Sequence, residues 1–201
     1  MDQHFEELLL QYAHAETPEQ RKIIHDRLWA DFGHEKGILV MDMSGFSLLT
    51  QKFGIVHYLS MVKRMQIITA PIIEKHGGQV VKFEADNCFA EFDDVSAAVR
   101  AAIALNTAFA AVNQFTDDEF DIRVSIGIDY GQVLLIGGPD YFGDAVNRAS
   151  KLGEDVAGPG EILLTESALE RFPVDQRPAG ELLDLSISGI RLAVLKLAYP
   201  Q

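Results

Sequence analysis

Hydrophobic spacing divides the chain into a helical start and a mixed body. "FEELLLQYA" places apolar residues on one helical face, and "TPEQRKIIHDRLWADF" opens with a Thr cap and a Pro in the first turn before Gly33 ends it. Residues 2–34 therefore read as helix. This stretch is an appendage (1–35) whose Trp29 and Phe32 are contact residues against the domain or a partner chain. From 37, "GILVMDM" is a β-branched apolar strand, and the next thirty or so residues return to helical spacing, broken near Gly54 and Pro71. "GQVVKFEADNCFAEF" reads as strand, tight turn at "EADN", strand. "DVSAAVRAAIALNTAFAAVNQF" is an Ala-rich amphipathic helix begun by Asp94. "FDIRVSIGIDYGQVLLIG" gives a strand with a Gly-marked turn, "GDAVNRASKLGEDV" a short helix, and "GPGEILLTESALERF" a turn, a strand and a helix. "LLDLSISGIRLAVLKLAY" is a hairpin turning near Gly189. Alternating strands and helices with interspersed hairpins predict a two-layer α+β sandwich over 36–201.

Composition narrows the partners. A chain of 201 residues with 48% apolar content suits one globular domain with a real core. A net charge of −13 and the absence of any basic run argue against nucleic acid, which needs clustered Lys and Arg. An anionic substrate would have to be gathered locally, most simply through metal ions. The single cysteine, Cys88, excludes an intramolecular disulfide framework and a multi-cysteine zinc site, and its apolar surroundings suit a buried, inert thiol. The acidic N-terminus lacks a signal-peptide h-region, and no run of about 18 apolar residues is present. The expectation is a cytoplasmic protein with no membrane partner.

Two carboxylates stand out. Asp42 interrupts an apolar strand just before Gly45, and Asp86 sits in the turn of the following hairpin. On neighbouring strand ends, they would form the oxygen-rich cradle that Mg²⁺ or Mn²⁺ shares with substrate phosphates. Spacing alone equally allows a helix cap and a turn residue. The surrounding residues carry more. "DMSGFS" resembles the metal-binding strand-turn of the class III adenylyl and guanylyl cyclases (Asp-Ile-x-Gly-Phe-Thr), and "KFEADNCFAEF" resembles their Lys-x-x-Gly-Asp-x-x-x-Ala-x-Phe hairpin. "RVSIGIDYGQV" is similar to their Arg-(apolar)-Gly strand, and "DYFGDAVNRASKLGEDVAGPGEILLTE" to their Asn-x-Ala-Ser-Arg helix and following Pro-Gly-Glu-Ile strand. The motifs occur in the family's order over about 37–170.

The resemblance implies a ferredoxin-like, palm-like sandwich with a mostly antiparallel sheet and helices on one face. It implies attack of a nucleotide's 3′-hydroxyl on its own α-phosphate, with two Mg²⁺ or Mn²⁺ ions per site. Asp42, Asp86 and the backbone around Met43 and Ser44 would hold metal, and Gly45 and Phe46 would let main-chain N–H groups approach phosphates. Lys82 and Asp140 occupy the base-reading positions, in the combination that suits adenine and hence ATP. Asn147 would orient the ribose. The family shares its sites across a head-to-tail dimer, which implies a homodimer with one copy supplying Asp42 and Asp86 and the other the remainder. The chain departs from the family in carrying Lys151 for the transition-state Arg and Ser188 for a phosphate-binding Lys, with Arg191 nearby. Ala85 replaces a Gly, and the stretch from Gly131 to Asp140 is short. These departures leave two further readings: a nucleotide-binding or dimerisation module without turnover, and a cyclase for a pyrimidine nucleotide.

Overall fold

The computed structural model describes residues 2–137, 140–187 and 190–200. Eight strands form one sheet in the order β2 (Gly78–Glu84), β3 (Asn87–Phe92), β1 (Gly33–Met43), β4 (Val124–Leu135), β6 (Ile162–Thr165), β8 (Ile190–Leu197), β7 (Gly180–Ile187), with the short β5 (Tyr141–Phe142) pairing beside β4. Only β4 and β6 run parallel; every other pairing is antiparallel. The α+β sandwich is as expected. The turn of the β7–β8 hairpin, including Ser188 and Gly189, lies outside the described residues.

Alternation along β1 assigns the faces. Leu39, Met41 and Met43 join the main core with Tyr58, Met61 and Met65 of α4 (Ile55–Lys75) and Ala98, Leu105 and Phe109 of α5 (Val95–Asn113). Ile38 and Val40 point the other way, to Phe89, Val133 and the small residues Ala145 and Ala149 of α6 (Asp144–Ser150). The chain continues from α6 into a π-helical turn, Lys151–Val156. α4 and α5 form the helical layer, while α6 and the π turn cover part of the opposite face. α5 is the one described helix long and apolar enough by composition to cross a membrane, and half of it is buried in this core.

The N-terminal segment is two helices, the second starting at the expected Thr cap and Pro: α1 (Gln3–His14), capped by Asp2, and α2 (Pro18–Phe32), opened by a Thr17–Gln20 capping box. Phe5, Leu8 and Leu28 close over Ile136 at the end of β4, with Phe32 packing edge-on to Phe5 at 5.1 Å. Strand β1 begins at Gly33, earlier than the apolar run at 37, because the polar residues 33–36 pair with Leu134 to Gly131 of β4. No linker separates α2 from β1. Gly33 donates its N–H to the Trp29 carbonyl, and a Cβ on Gly33 would lie 2.3 Å from that oxygen.

Two expected breaks are absent. Gly54 does separate α3 (Phe46–Phe53) from α4, but α4 continues through Pro71 to Lys75. The buried residues Met65, Thr69 and Ile73 on either side of the proline hold the helix against the sheet despite the lost hydrogen bond. Gly131 lies inside β4 rather than at a turn; its missing side chain makes room for α6, since a Cβ there would meet that of Ala145 at 3.3 Å.

The β2–β3 turn consists of Ala85 and Asp86, between the paired Glu84 and Asn87. Ala85 is the one described non-glycine residue with positive φ, at 50°. For an L-residue this conformation carries a penalty of about 1–2 kcal/mol, partly offset by the greater freedom that Gly has when unfolded. Ala85→Gly should therefore raise stability by about 0.5–1 kcal/mol, a melting-temperature gain of roughly 1–4 °C in a chain of this size, read by thermal denaturation. A lower melting temperature would contradict this account of the turn.

Candidate active site

Across the sheet, the end of β1 gathers oxygen. Asp42 is directly opposite Asn87 of β3 and Ser125 of β4, and Asn87 is opposite Glu84 of β2. Directly opposed residues project to the same face with Cβ atoms about 4.5–5.5 Å apart. Glu84, Asn87, Asp42 and Ser125 thus form one row on the face that α6 covers. Ser44 adds its hydroxyl, 3.2 Å from that of Ser125. The π turn closes down beside this row: Gly153 approaches β1 so tightly that a Cβ would come within 2.6 Å of the Val40 carbonyl oxygen. That approach brings Glu154 and Asp155 within electrostatic range of Asp42.

The consequence is a crowded set of carboxylates. Burial first, and then the charges of Asp86, Glu154 and Asp155, push the Asp42 carboxyl up to about 7. Burial, followed by Asp155, also pushes Glu154 up. Asp86 is held from the helical layer, where the Tyr58 hydroxyl donates to its Oδ2 at 2.5 Å. Burial and this bond raise the Tyr58 phenol, so it remains a donor. The Tyr58 ring packs edge-on against Phe46 at 4.8 Å. The turn before α3 is thereby tied to Asp86. Gly45 makes that turn with φ of 101° and caps α3 without a side-chain hydrogen bond, so the first N–H groups of the helix have no side-chain acceptor there.

The donors present fit a hard divalent cation. Asn87 Oδ1 is buried without a hydrogen-bond partner, beside a carboxylate whose charged form is disfavoured. Among the described residues no cluster of three or more His, Cys, Asp or Glu forms a closed cage. An open site of one or two carboxylates is what Mg²⁺ uses when substrate phosphates complete its shell. Asp42 and Asp86 can supply those carboxylates. Met43 can contribute only its main-chain carbonyl, because its side chain is buried in the main core and its N–H donates to the Asp86 carbonyl at 3.3 Å.

The other candidate residues fall into two groups. Lys82, at a bulge in β2, bonds Asp140 at 3.0 Å and Glu84 at 2.9 Å, with its ammonium 5.2 Å from the Phe89 ring centre. Glu84, then Asp140, hold this lysine firmly charged. Asn147 is exposed on α6, and Lys151, four residues on, opens the π turn on the same helical side. No described hydrogen bond joins the Asn147 side chain to the carboxylate row. Motif reading missed Glu84, Asn87, Tyr58, Ser125, Glu154 and Asp155, whose proximity comes from register and from the π turn. Cys88 is fully buried with its thiol pushed up to about 12, as an inert thiol should be.

A sequence model described as the adenylate and guanylate cyclase catalytic domain matches residues 33–181. A Rhizobium meliloti protein provisionally named adenylate cyclase 3 is 29% identical over 133 residues, covering 66% of this chain and 22% of that protein. The adenylate cyclase of Streptomyces coelicolor is 28% identical over 140 residues, covering 70% of this chain and 35% of its own length. The chain therefore spans between about a fifth and a third of these curated relatives. Among solved structures, the adenylate/guanylate cyclase/hydrolase of Silicibacter pomeroyi superposes with a TM-score of 0.68 at 28% identity, over 84% of this chain and 98% of that one.

Crowding of like charges at Asp42 has a measurable effect on stability. Asp42→Asn removes one of the repelling charges from a partly buried position, so in a chelating buffer at neutral pH it should stabilise the fold. The expected gain is about 1–2 kcal/mol, or roughly 2–8 °C in melting temperature. Calorimetry checks it; an Asn variant that melts below the unmodified protein would show that the carboxylates are not in tension.

Proposed function

The chain belongs to the adenylate and guanylate cyclase catalytic domain family, and from that premise we propose that it converts ATP to 3′,5′-cyclic AMP and pyrophosphate at sites shared by a homodimer. The observation that carries this reading is the placement of Asp42 and Asp86 at one sheet edge, with Asp42 in a state that a cation would relieve. The ATP preference rests on Lys82 and Asp140 being bonded to each other. Such a pair offers a donor to the N1 acceptor of adenine and an acceptor to its amino group. A nucleoside-triphosphate substrate also suits a cytoplasmic setting. Residues 36–201 would be the catalytic unit and 1–35 its appendage.

In this reading the 3′-hydroxyl gives up its proton to solvent, its oxygen forms a bond to the α-phosphorus, the bond from that phosphorus to the α–β bridging oxygen breaks, and pyrophosphate leaves with the electron pair. Bound Mg²⁺ or Mn²⁺ would acidify the 3′-hydroxyl and neutralise triphosphate charge. Asp42, Asp86 and the Met43 carbonyl would hold those ions. The N–H groups after Gly45, at Phe46 and beyond, face the phosphates, aided by the start of α3. Asn147 orients the ribose, and Lys151 places positive charge on the α-phosphoryl oxygens from the second copy. Lysine provides that charge without the planar fork of arginine, which sets a slow rate. The same substitution favours a second reading, a nucleotide-binding module without turnover.

Incubating the purified protein with Mn²⁺ and each of the four nucleoside triphosphates, followed by chromatography, tests both readings. Cyclic AMP is the expected product, at a rate lowered more than about 100-fold by Asp42→Asn or Asp86→Asn and raised about tenfold by Lys151→Arg. No cyclic product at high protein concentration, together with ATP binding in calorimetry, would establish the second reading. A cyclic pyrimidine nucleotide would overturn the base assignment.

A further inference from the structure

α6 is poorly equipped to hold its own position. It has seven residues and no side-chain cap at its N-terminus, too short to persist without tertiary contacts. Its inner surface is smooth. Ala145 and Ala149 face glycines of β4: Gly131, where a Cβ would be 3.3 Å from that of Ala145, and Gly127, where one would lie 2.2 Å from the Ala149 carbonyl oxygen. Backbones this close set the distance between helix and sheet, and with Val146 the one larger apolar side chain that α6 adds to this cluster, the packing does little to fix rotation of the helix about its axis.

One directional contact does. Asp129, in the middle of β4, is fully buried and is the one charged residue in that class among the described residues. An unpaired carboxylate there would be strongly disfavoured. Arg148 of α6 donates its Nε to Asp129 Oδ2 at 2.6 Å. The other oxygen accepts the Tyr130 N–H at 2.7 Å and the Thr165 hydroxyl, and Thr165 in turn accepts the N–H of Ala168 as the cap of α7 (Glu166–Leu169). A charge pinned from three directions is a fixed reference point. Consecutive residues are about 100° apart around a helix, so anchoring Arg148 sets the azimuth of its neighbours Asn147 and Lys151.

We propose that Asp129 is a positioning residue of the active site: through Arg148 it sets the rotation of α6 and thereby aims Asn147 and Lys151. The inference rests on the cyclase reading for the roles of those two residues. It also assigns Arg148 inward, as an anchor, rather than as a substitute for the arginine that Lys151 replaces.

The test uses the full chain and three variants, Asp129→Asn, Arg148→Met and Arg148→Lys, with kinetics on ATP and Mn²⁺ alongside amide hydrogen exchange. Asp129→Asn and Arg148→Met should lower kcat about 10- to 100-fold while KM for ATP stays within about threefold. They should also speed exchange across 144–156 at least tenfold without changing β1, β3 or α5. Arg148→Lys, which keeps the charge, should recover kcat to within about fivefold of the unmodified protein. If Arg148→Met, which leaves the buried Asp129 carboxylate without its cation, fails to fold, Asp129→Asn carries the same measurement, because the arginine it leaves behind is partly exposed. Unchanged exchange in 144–156, or a loss expressed in KM alone, overturns the proposal. If the unmodified protein makes no cyclic nucleotide, the cyclase reading falls, and the exchange of 144–156 alone decides whether Asp129 fixes α6.

Discussion

Asp42 and Asp86 repel one another across the end of the sheet, with Glu154 and Asp155 adding to the field from the π turn, in surroundings that partly exclude water. Most of the local architecture serves to keep these groups from separating. The β1–β3 pairing fixes Asp42 beside Asn87, and the Met43 N–H takes the Asp86 carbonyl. The Tyr58 hydroxyl grips the Asp86 carboxylate from below. Each tie would be unnecessary if the carboxylates were free to turn into solvent. A sheet that holds like charges together in this way gives up stability.

Much of this was legible in the sequence because the decisive signals were local. The apolar run ending at Asp42, the turn at 85–86, the Asp94 cap and the Thr17–Pro18 helix start are all set by neighbours along the chain, and all occur. Lys82 and Asp140 were paired by family resemblance, and they meet at 3.0 Å. The row of Glu84, Asn87, Asp42 and Ser125 was not legible, because cross-strand neighbours depend on long-range register that no local pattern specifies. Pro71 and Gly131 misled for a related reason: each is locally a breaker, but burial on both sides of Pro71 and the close approach of α6 over Gly131 outweigh the local preference. Ala85 occupies a left-handed position without being glycine because the two-residue hairpin leaves it no alternative.

Two carboxylates of this chain, Asp42 and Asp129, both sit in β-strands on the same face of the sheet, yet their surroundings differ in kind. Asp129 is fully enclosed and met by a guanidinium, a hydroxyl and a main-chain N–H. Asp42 is only partly enclosed and faces other acids. The first arrangement fastens elements together. The second leaves a demand that an incoming ligand must meet.

α2 passes into β1 at Gly33 with no intervening loop, and β1 is clasped by β3 and β4 along its paired length up to Asp42. A strand of that kind behaves as a stiff rod about 30 Å long. A load applied to the helical pair therefore reaches the sheet by two routes, along this rod through the Gly33 junction and into the end of β4 through the packing on Ile136.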